Sequence, residues 1–173
     1  MKPNINREWG MLVEEATRAQ IDAIHQDGCR VVSVVPTRQG GRLIIYTDNG
    51  LHLFGRIVHE SGGATRRYLN DLAVYVQQKR NENAYKLQYI RILGDKINQG
   101  YGTLMMNQLL RHALERGVDY IDGRMQDAGG EEHDRRLRHF YRKLGFEIGG
   151  DRALMWRPEG SATIVSQIGR SKP

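Results

Sequence analysis

Apolar residues recur at helical spacing over residues 8–26, where Trp9, Leu12, Val13, Ala16, Ala19 and Ala23 share one face. Asp27 and Gly28 close that helix. Shorter runs follow at 29–35, 42–47 and 51–58, each of strand length. The first two are separated by Gln39, Gly40 and Gly41, the second and third by Asp48, Asn49 and Gly50. Asn-Gly between apolar runs is a hairpin signal, because both residues tolerate the left-handed turn conformation. Residues 60–69 read as a loop with at most one helical turn. In 72–78, Val74 and Val76 alternate with Tyr75 and Gln77, as a half-buried strand requires; a helix over 64–79 is the competing reading. A polar connection through Arg80, Asn81, Glu82 and Asn83 leads to a further strand at 86–93.

The second half alternates more regularly. A helix is predicted from 100 to 116, with Leu104, Met105, Leu109, Ala113 and Leu114 on its buried face. Arg111, His112 and Arg116 lie toward its negative end, and Gly117 stops it. A strand at 118–122 precedes a second helix at 131–144, acidic at its start and basic at Arg142 and Lys143. Two short strands, 146–148 and 153–157, flank a turn at Gly149, Gly150 and Asp151. This order of strand, glycine loop, helix, strand, helix, strand, strand predicts an α/β (α+β) domain around a mixed sheet. One domain is expected over 1–157, with 158–173 as a C-terminal tail.

Composition narrows the classes. No apolar stretch among the 173 residues approaches the ~18 needed to span a bilayer, and the N-terminus has no apolar run of leader type. No membrane association and a cytoplasmic location are the expectation. Cys29 is the single cysteine, so no intrachain disulfide forms. His133 and His139 are six residues apart on one predicted helix and do not share a face, so no metal is expected. The formal net charge of +6 is concentrated at Arg66-Arg67, Lys79-Arg80, Arg135-Arg136 with Arg138, and Arg142-Lys143. Such a surplus suits anionic partners, or simply solvated helix faces.

The segment from Ile90 to Leu104 carries the clearest chemistry. A strand runs into a loop with Gly100 and Gly102, which opens a helix. The first N–H groups of a helix lack intrahelical acceptors, and the helix dipole adds positive potential there. Backbone amides from Asn98 through Gln99, Gly100, Tyr101 and Gly102 to Thr103 are thus arranged to cradle a phosphate. The segment lacks the Gly-Lys-Ser/Thr of a P-loop and the third glycine of a dinucleotide fingerprint. An ordinary strand-to-helix turn is the other reading of the same residues.

The segment resembles the acyl-CoA-binding loop of the GNAT (GCN5-related) N-acetyltransferases, whose pattern is Arg/Gln-x-x-Gly-x-Gly/Ala. Gly100 and Gly102 match its last two positions, while Ile97 replaces the Arg/Gln. Phe140, Tyr141, Gly145 and Phe146 resemble the family's late Phe-Tyr-x-x-x-Gly-Phe, with Asp134 where Asn is common. The resemblance covers residues 86–148. It implies a mixed, splayed sheet and direct transfer of an acyl group, most simply acetyl from acetyl-CoA, to an amine. It implies that Ile92 and Leu93 pair with the pantetheine arm, that 98–103 hold the pyrophosphate, that Asp134 contributes to cofactor binding, and that Tyr141 is the general acid.

The general base stays open among His52, His59, Glu60 and Glu82. The acceptor amine stays open as well, with a nucleic-acid-linked acceptor such as aminoacyl-tRNA among the alternatives, as does the oligomeric state, with a homodimer allowed. Two rival readings remain: an acyl-CoA sensor or adaptor without turnover, and an RNA-binding protein with no cofactor.

Overall fold

The computed structural model describes residues 5–127 and 129–158. The elements in chain order are α1 (Ile5–Gln26), β1 (Arg30–Pro36), β2 (Arg42–Thr47), β3 (Leu53–Val58), β4 (Leu72–Gln78), β5 (Ala84–Arg91), α2 (Tyr101–Glu115), β6 (Tyr120–Arg124), α3 (Glu131–Lys143), β7 (Glu147–Ile148) and β8 (Ala153–Trp156). The strands follow the hydrogen-bonded order β1-β2-β3-β4-β5-β6-β8-β7. The β1–β2, β2–β3, β3–β4, β6–β8 and β8–β7 pairings are antiparallel, and β5–β6 is parallel. This is the mixed α/β class predicted, and residues 72–78 are a strand, not part of a helix. Of the expected tail, 158–173, all but residue 158 lies outside the described residues.

The chain forms two compact units. The first comprises Met1–Tyr75 and Ile90–Met105, the second Val76–Tyr89 and Met106–Pro173. In the first, Ile24, Cys29, Ile44, Tyr46, Phe54, Val58 and Ala73 form a buried cluster between α1 and the β1–β4 strands. Tyr46 stacks on Phe54 at 5.4 Å, and Phe54 meets Tyr75 edge-on. The buried stripe of α1 is Val13, Thr17 and Ile24. Trp9, Leu12 and Ala19, expected inside, are exposed. Thr17 can be buried in that stripe because its hydroxyl donates to the Val13 carbonyl (2.6 Å) and is not left unpaired.

The first unit also buries charge. Asp71 Oδ2 accepts from Arg56 Nη2 at 3.1 Å, Arg56 Nε at 3.2 Å and Tyr46 Oη at 2.7 Å, while Oδ1 accepts from Thr65 at 2.6 Å. Gln20 accepts from the remaining end of Arg56. Each of these partners comes from a different part of the chain, so periodicity held no trace of the network. Burial, then the Asp71 hydrogen bond, push the Tyr46 phenol up strongly.

Several element boundaries differ from the sequence expectation: α1 starts at Ile5 and β3 at Leu53, and three further differences follow from backbone hydrogen bonds. Cys29 and Val118 belong to helix ends, not to strands. The Cys29 N–H donates to the Ile24 carbonyl, and the Val118 N–H to that of Ala113, closing α1 and α2 in the same way. Strand β6 therefore starts at Tyr120. Strand β5 lies two residues earlier than predicted, because the Lys79 N–H donates to the Ala84 carbonyl and closes the β4–β5 hairpin there. On the predicted face of α2, Met105, Leu109 and Ala113 are buried, but Leu104 is only half-buried and Leu114 is exposed. Met106 and Gln108 are buried instead.

In the second unit the buried set includes Tyr85, Leu87, Met106, Leu109, Ile121, Tyr141, Phe146, Leu154 and Trp156. The β5–β6 ladder pairs Ala84–Leu87 with Tyr120–Gly123 and has its last rung at Leu87↔Gly123. A Cβ on Gly123 would meet the Leu87 carbonyl oxygen at 2.8 Å, so only glycine fits at that rung.

Candidate active site

After Arg91 the chain leaves β5. Ile92 and Leu93 lie past the strand end, because the Leu93 carbonyl accepts from the Lys96 N–H to start a 3-10 turn at Gly94–Lys96. The expected strand position of Ile92 and Leu93 is thus corrected; β5 itself ends with Ile90 and Arg91. The loop then turns through Asn98 (φ 62°) and Gly100 (φ 87°) into α2. Left-handed backbone at two positions so close turns several amides toward one side, and asparagine and glycine are the residues that adopt it at least cost. Asp95 is tied back by Gln99 Nε2, which donates to its carbonyl at 2.6 Å.

Within the predicted cradle, Asn98 is exposed, Gln99, Gly100 and Thr103 are half-buried, and Tyr101 and Gly102 are buried. Open amides are thus concentrated at 98–100, while Tyr101 and Gly102 are packed into the unit. Burial raises the Tyr101 phenol pKa, with Lys96 and the Thr37 hydroxyl opposing. A Cβ on Gly100 would stand 3.2 Å from the Arg38 Cζ. A side chain at residue 100 would press on the Arg38 guanidinium, so glycine lets that cation lie against the backbone at the start of α2. That fits the diphosphate of an acyl-CoA. Arg38 was not singled out in the sequence, since it lies some sixty residues away on an exposed turn.

Tyr141 lies in the second unit, on α3. It is 7% exposed, and its ring meets Phe140 and Phe146 edge-on at 5.2 and 5.6 Å. Burial alone raises its phenol to about 12. No hydrogen bond engages its hydroxyl among the described residues. A core tyrosine usually satisfies its hydroxyl; this one has no partner for it among the described residues, and burial keeps it neutral throughout the physiological range.

Asp134 is committed elsewhere. Its Oδ2 accepts from Arg138 Nε at 2.7 Å and its Oδ1 from Arg152 Nη1 at 2.5 Å, and these two, Arg138 first, lower its pKa. Arg152 also donates to the carbonyls of Met125 and Gln126. Asp134 thus joins α3 to the β7–β8 turn and the end of β6. The part of the chain expected to bind cofactor through this carboxylate instead holds a clamp of two arginines.

The base candidates separate. Glu82 hydrogen-bonds to Tyr120 and lies 3.8 Å from Lys79, which pairs with Asp122 at 2.6 Å. The His52 ring lies 5.3 Å from that of Tyr75, tilted by 56°. Glu60 faces Gly40 in the β1–β2 turn. His59 lies near Lys96 and Asp95 of the loop before α2, and burial, then Lys96, lower its pKa below the ordinary imidazole value.

A strand leading through a glycine turn into a helix, beside a parallel strand whose ladder stops early, defines an acyltransferase-type α/β fold. Residues 58–146, just over half of the chain, match the model of the acetyltransferase (GNAT) family, and the chain belongs to that family. It is therefore an N-acetyltransferase in the general sense of its family. Among solved structures it is similar to a protein from Exiguobacterium sp. 255-15 assigned as an acetyltransferase (14% identity, 67% of this chain and 68% of that one, TM-score 0.46). It is also similar to Tetrahymena GCN5 (13%, 64% and 70%, TM-score 0.42) and to nourseothricin acetyltransferase (15%, 74% and 85%, TM-score 0.43). At these values they add nothing to the family match. No curated protein matches the chain. No helix among the described residues is long and apolar enough to cross a membrane.

Proposed function

We propose that residues 1–157 are one acyltransferase domain that moves an acetyl group from acetyl-CoA to the primary amine of an acceptor. The observation that carries this reading is the left-handed Asn98–Gly100 turn at the start of α2, which lies inside the matched segment and has the Arg38 guanidinium against Gly100. Acetyl-CoA supplies the activated thioester. The amides of 98–100 and of the first turn of α2 hold its diphosphate. The β5 backbone beyond Leu87 takes the role first given to Ile92 and Leu93: it aligns the pantetheine arm and donates an N–H to the thioester carbonyl. The acceptor nitrogen then bonds to the carbonyl carbon as the carbon–sulfur bond breaks. The amine proton passes to a base or to water, and Tyr141 Oη donates a hydrogen bond to the departing sulfur.

The acceptor is a primary amine, and the basic surface favours one carried on an anionic molecule. The test has two parts. Isothermal titration with CoA and acetyl-CoA should show binding, and a ligand at ~100 times its dissociation constant should add about 2.7 kcal/mol of stability. Thiol release should then appear with at least one member of a panel of small amines, aminoglycosides, N-terminal peptides, lysine peptides and aminoacyl-tRNA. Absence of cofactor binding at millimolar concentration refutes the reading. Binding without turnover on any amine would assign the domain to a sensor instead.

A further inference from the structure

The family pattern places an arginine or glutamine three residues before the first glycine of the cradle. Here that position is Ile97, an apolar side chain 41% exposed. A dianionic diphosphate held by amides alone would have charge-assisted hydrogen bonds but no cation to balance its charge and bind two oxygens at once. The structure supplies a cation from elsewhere. The guanidinium of Arg38, on the β1–β2 turn, lies against Gly100: Cζ and Nε stand 3.2 Å and Nη2 3.3 Å from the point a Cβ would occupy.

The placement of Arg38 is held from both sides. The preceding residue, Thr37, has its hydroxyl beside Tyr101, the first residue of α2. The following residue, Gln39, donates from Nε2 to the Gln99 carbonyl at 3.4 Å. The turn is closed by the Thr37 N–H donating to the Gly41 carbonyl and the Gly40 N–H to that of Thr37. A Cβ on Gly41 would stand 2.0 Å from the Val58 carbonyl oxygen, so this turn is pressed against the end of β3 and cannot shift freely. Lys96, the other nearby cation, is already paired with Asp95 at 2.9 Å. Among the described residues no carboxylate forms an ion pair with Arg38.

We infer that Arg38 is the cationic partner of the CoA diphosphate, replacing in space the side chain that Ile97 does not provide. This rests on the acyl-CoA reading above, because the ligand is set by the family and not by the helix terminus. A planar guanidinium beside the amides of 98–100 can engage two phosphate oxygens at once, which an isolated helix terminus cannot.

The test compares Arg38→Gln, Arg38→Lys and a control of equal charge change, Arg18→Gln, on exposed α1. Each is titrated calorimetrically with CoA and with 3′-dephospho-CoA. Arg38→Gln should weaken both ligands by about tenfold or more, to the same extent, with the thermal midpoint of the free protein unchanged. Arg38→Lys should recover part of the loss, and Arg18→Gln should bind like the parent. Loss confined to CoA would place Arg38 on the 3′-phosphate and overturn the inference. So would an Arg38→Gln affinity equal to that of the parent or of Arg18→Gln. If the parent itself binds neither ligand, the acyl-CoA reading fails first, and this inference falls with it.

Discussion

Replacing Tyr141 with phenylalanine removes one hydroxyl and leaves the ring against Phe140 and Phe146. That hydroxyl has no hydrogen-bond partner among the described residues, so its loss breaks no hydrogen bond among them. Folding stability should therefore stay within about 1 kcal/mol of the parent, since the costly case is a buried partner left unpaired, and here there is none. Catalysis should respond differently. A phenol near 12 lies well above a leaving thiol near its reference value of about 8.5, so complete proton transfer to the thiolate is uphill by several kcal/mol, on the order of 5. The role consistent with this mismatch is a hydrogen bond to the sulfur as its charge develops, with the proton itself supplied later by water. A hydrogen bond to a charged group is worth roughly 1.5–3 kcal/mol, so kcat should fall about 10-fold to 150-fold. CoA affinity should change by less than about twofold. The assay is single-turnover thiol release with an identified acceptor, so that slow product release cannot mask chemistry. Because the phenol stays neutral up to about 12, no kinetic transition below pH 9 should disappear in the variant. Turnover equal to the parent would make Tyr141 a packing residue, and a loss of Tm comparable to the loss of rate would show that the hydroxyl serves the core.

Gly100→Ala should weaken CoA binding at least tenfold, because it combines a strained φ of 87° with a Cβ pressed on Arg38; unchanged affinity by calorimetry would show that the phosphate does not approach this backbone. Asp71→Ala leaves Arg56, 5% exposed, without its counter-charge and should cost roughly 3–5 kcal/mol, measured by urea unfolding; a cost under 1 kcal/mol would mean the site rehydrates. The His59 pKa is lowered on folding, so the unfolded chain binds more protons between the folded value and about 6.5. Stability should rise with pH across that window and be lost as pH falls through the folded value. His59→Asn should flatten this slope, and an NMR titration placing His59 at or above 6.5 would contradict it.

Periodicity and turn chemistry determined the element order and the mixed α/β class, while the family resemblance singled out the Gly100–Gly102 and Phe140–Phe146 segments. Those signals are local: alternation in 72–78, the Asn-Gly hairpin, the glycines opening α2, and the Phe140–Phe146 segment with Tyr141 all lie within a few residues of the structure they specify. Tertiary structure decided the rest. The two-residue displacement of β5, which put Ile92 and Leu93 outside the strand, followed from where the β4–β5 hairpin closed. Asp134 was drawn into a clamp by Arg152, eighteen residues distant, and Arg38 reached Gly100 from a turn sixty-two residues away. Neither pairing has a sequence period, because a long side chain finds its partner only after the backbone has brought remote segments within a few ångströms. The buried Arg56–Asp71 pair, its Tyr46 and Thr65 bonds, and the unpartnered Tyr141 hydroxyl belong to the same kind: desolvation and hydrogen-bond satisfaction are properties of packed space, not of residue spacing.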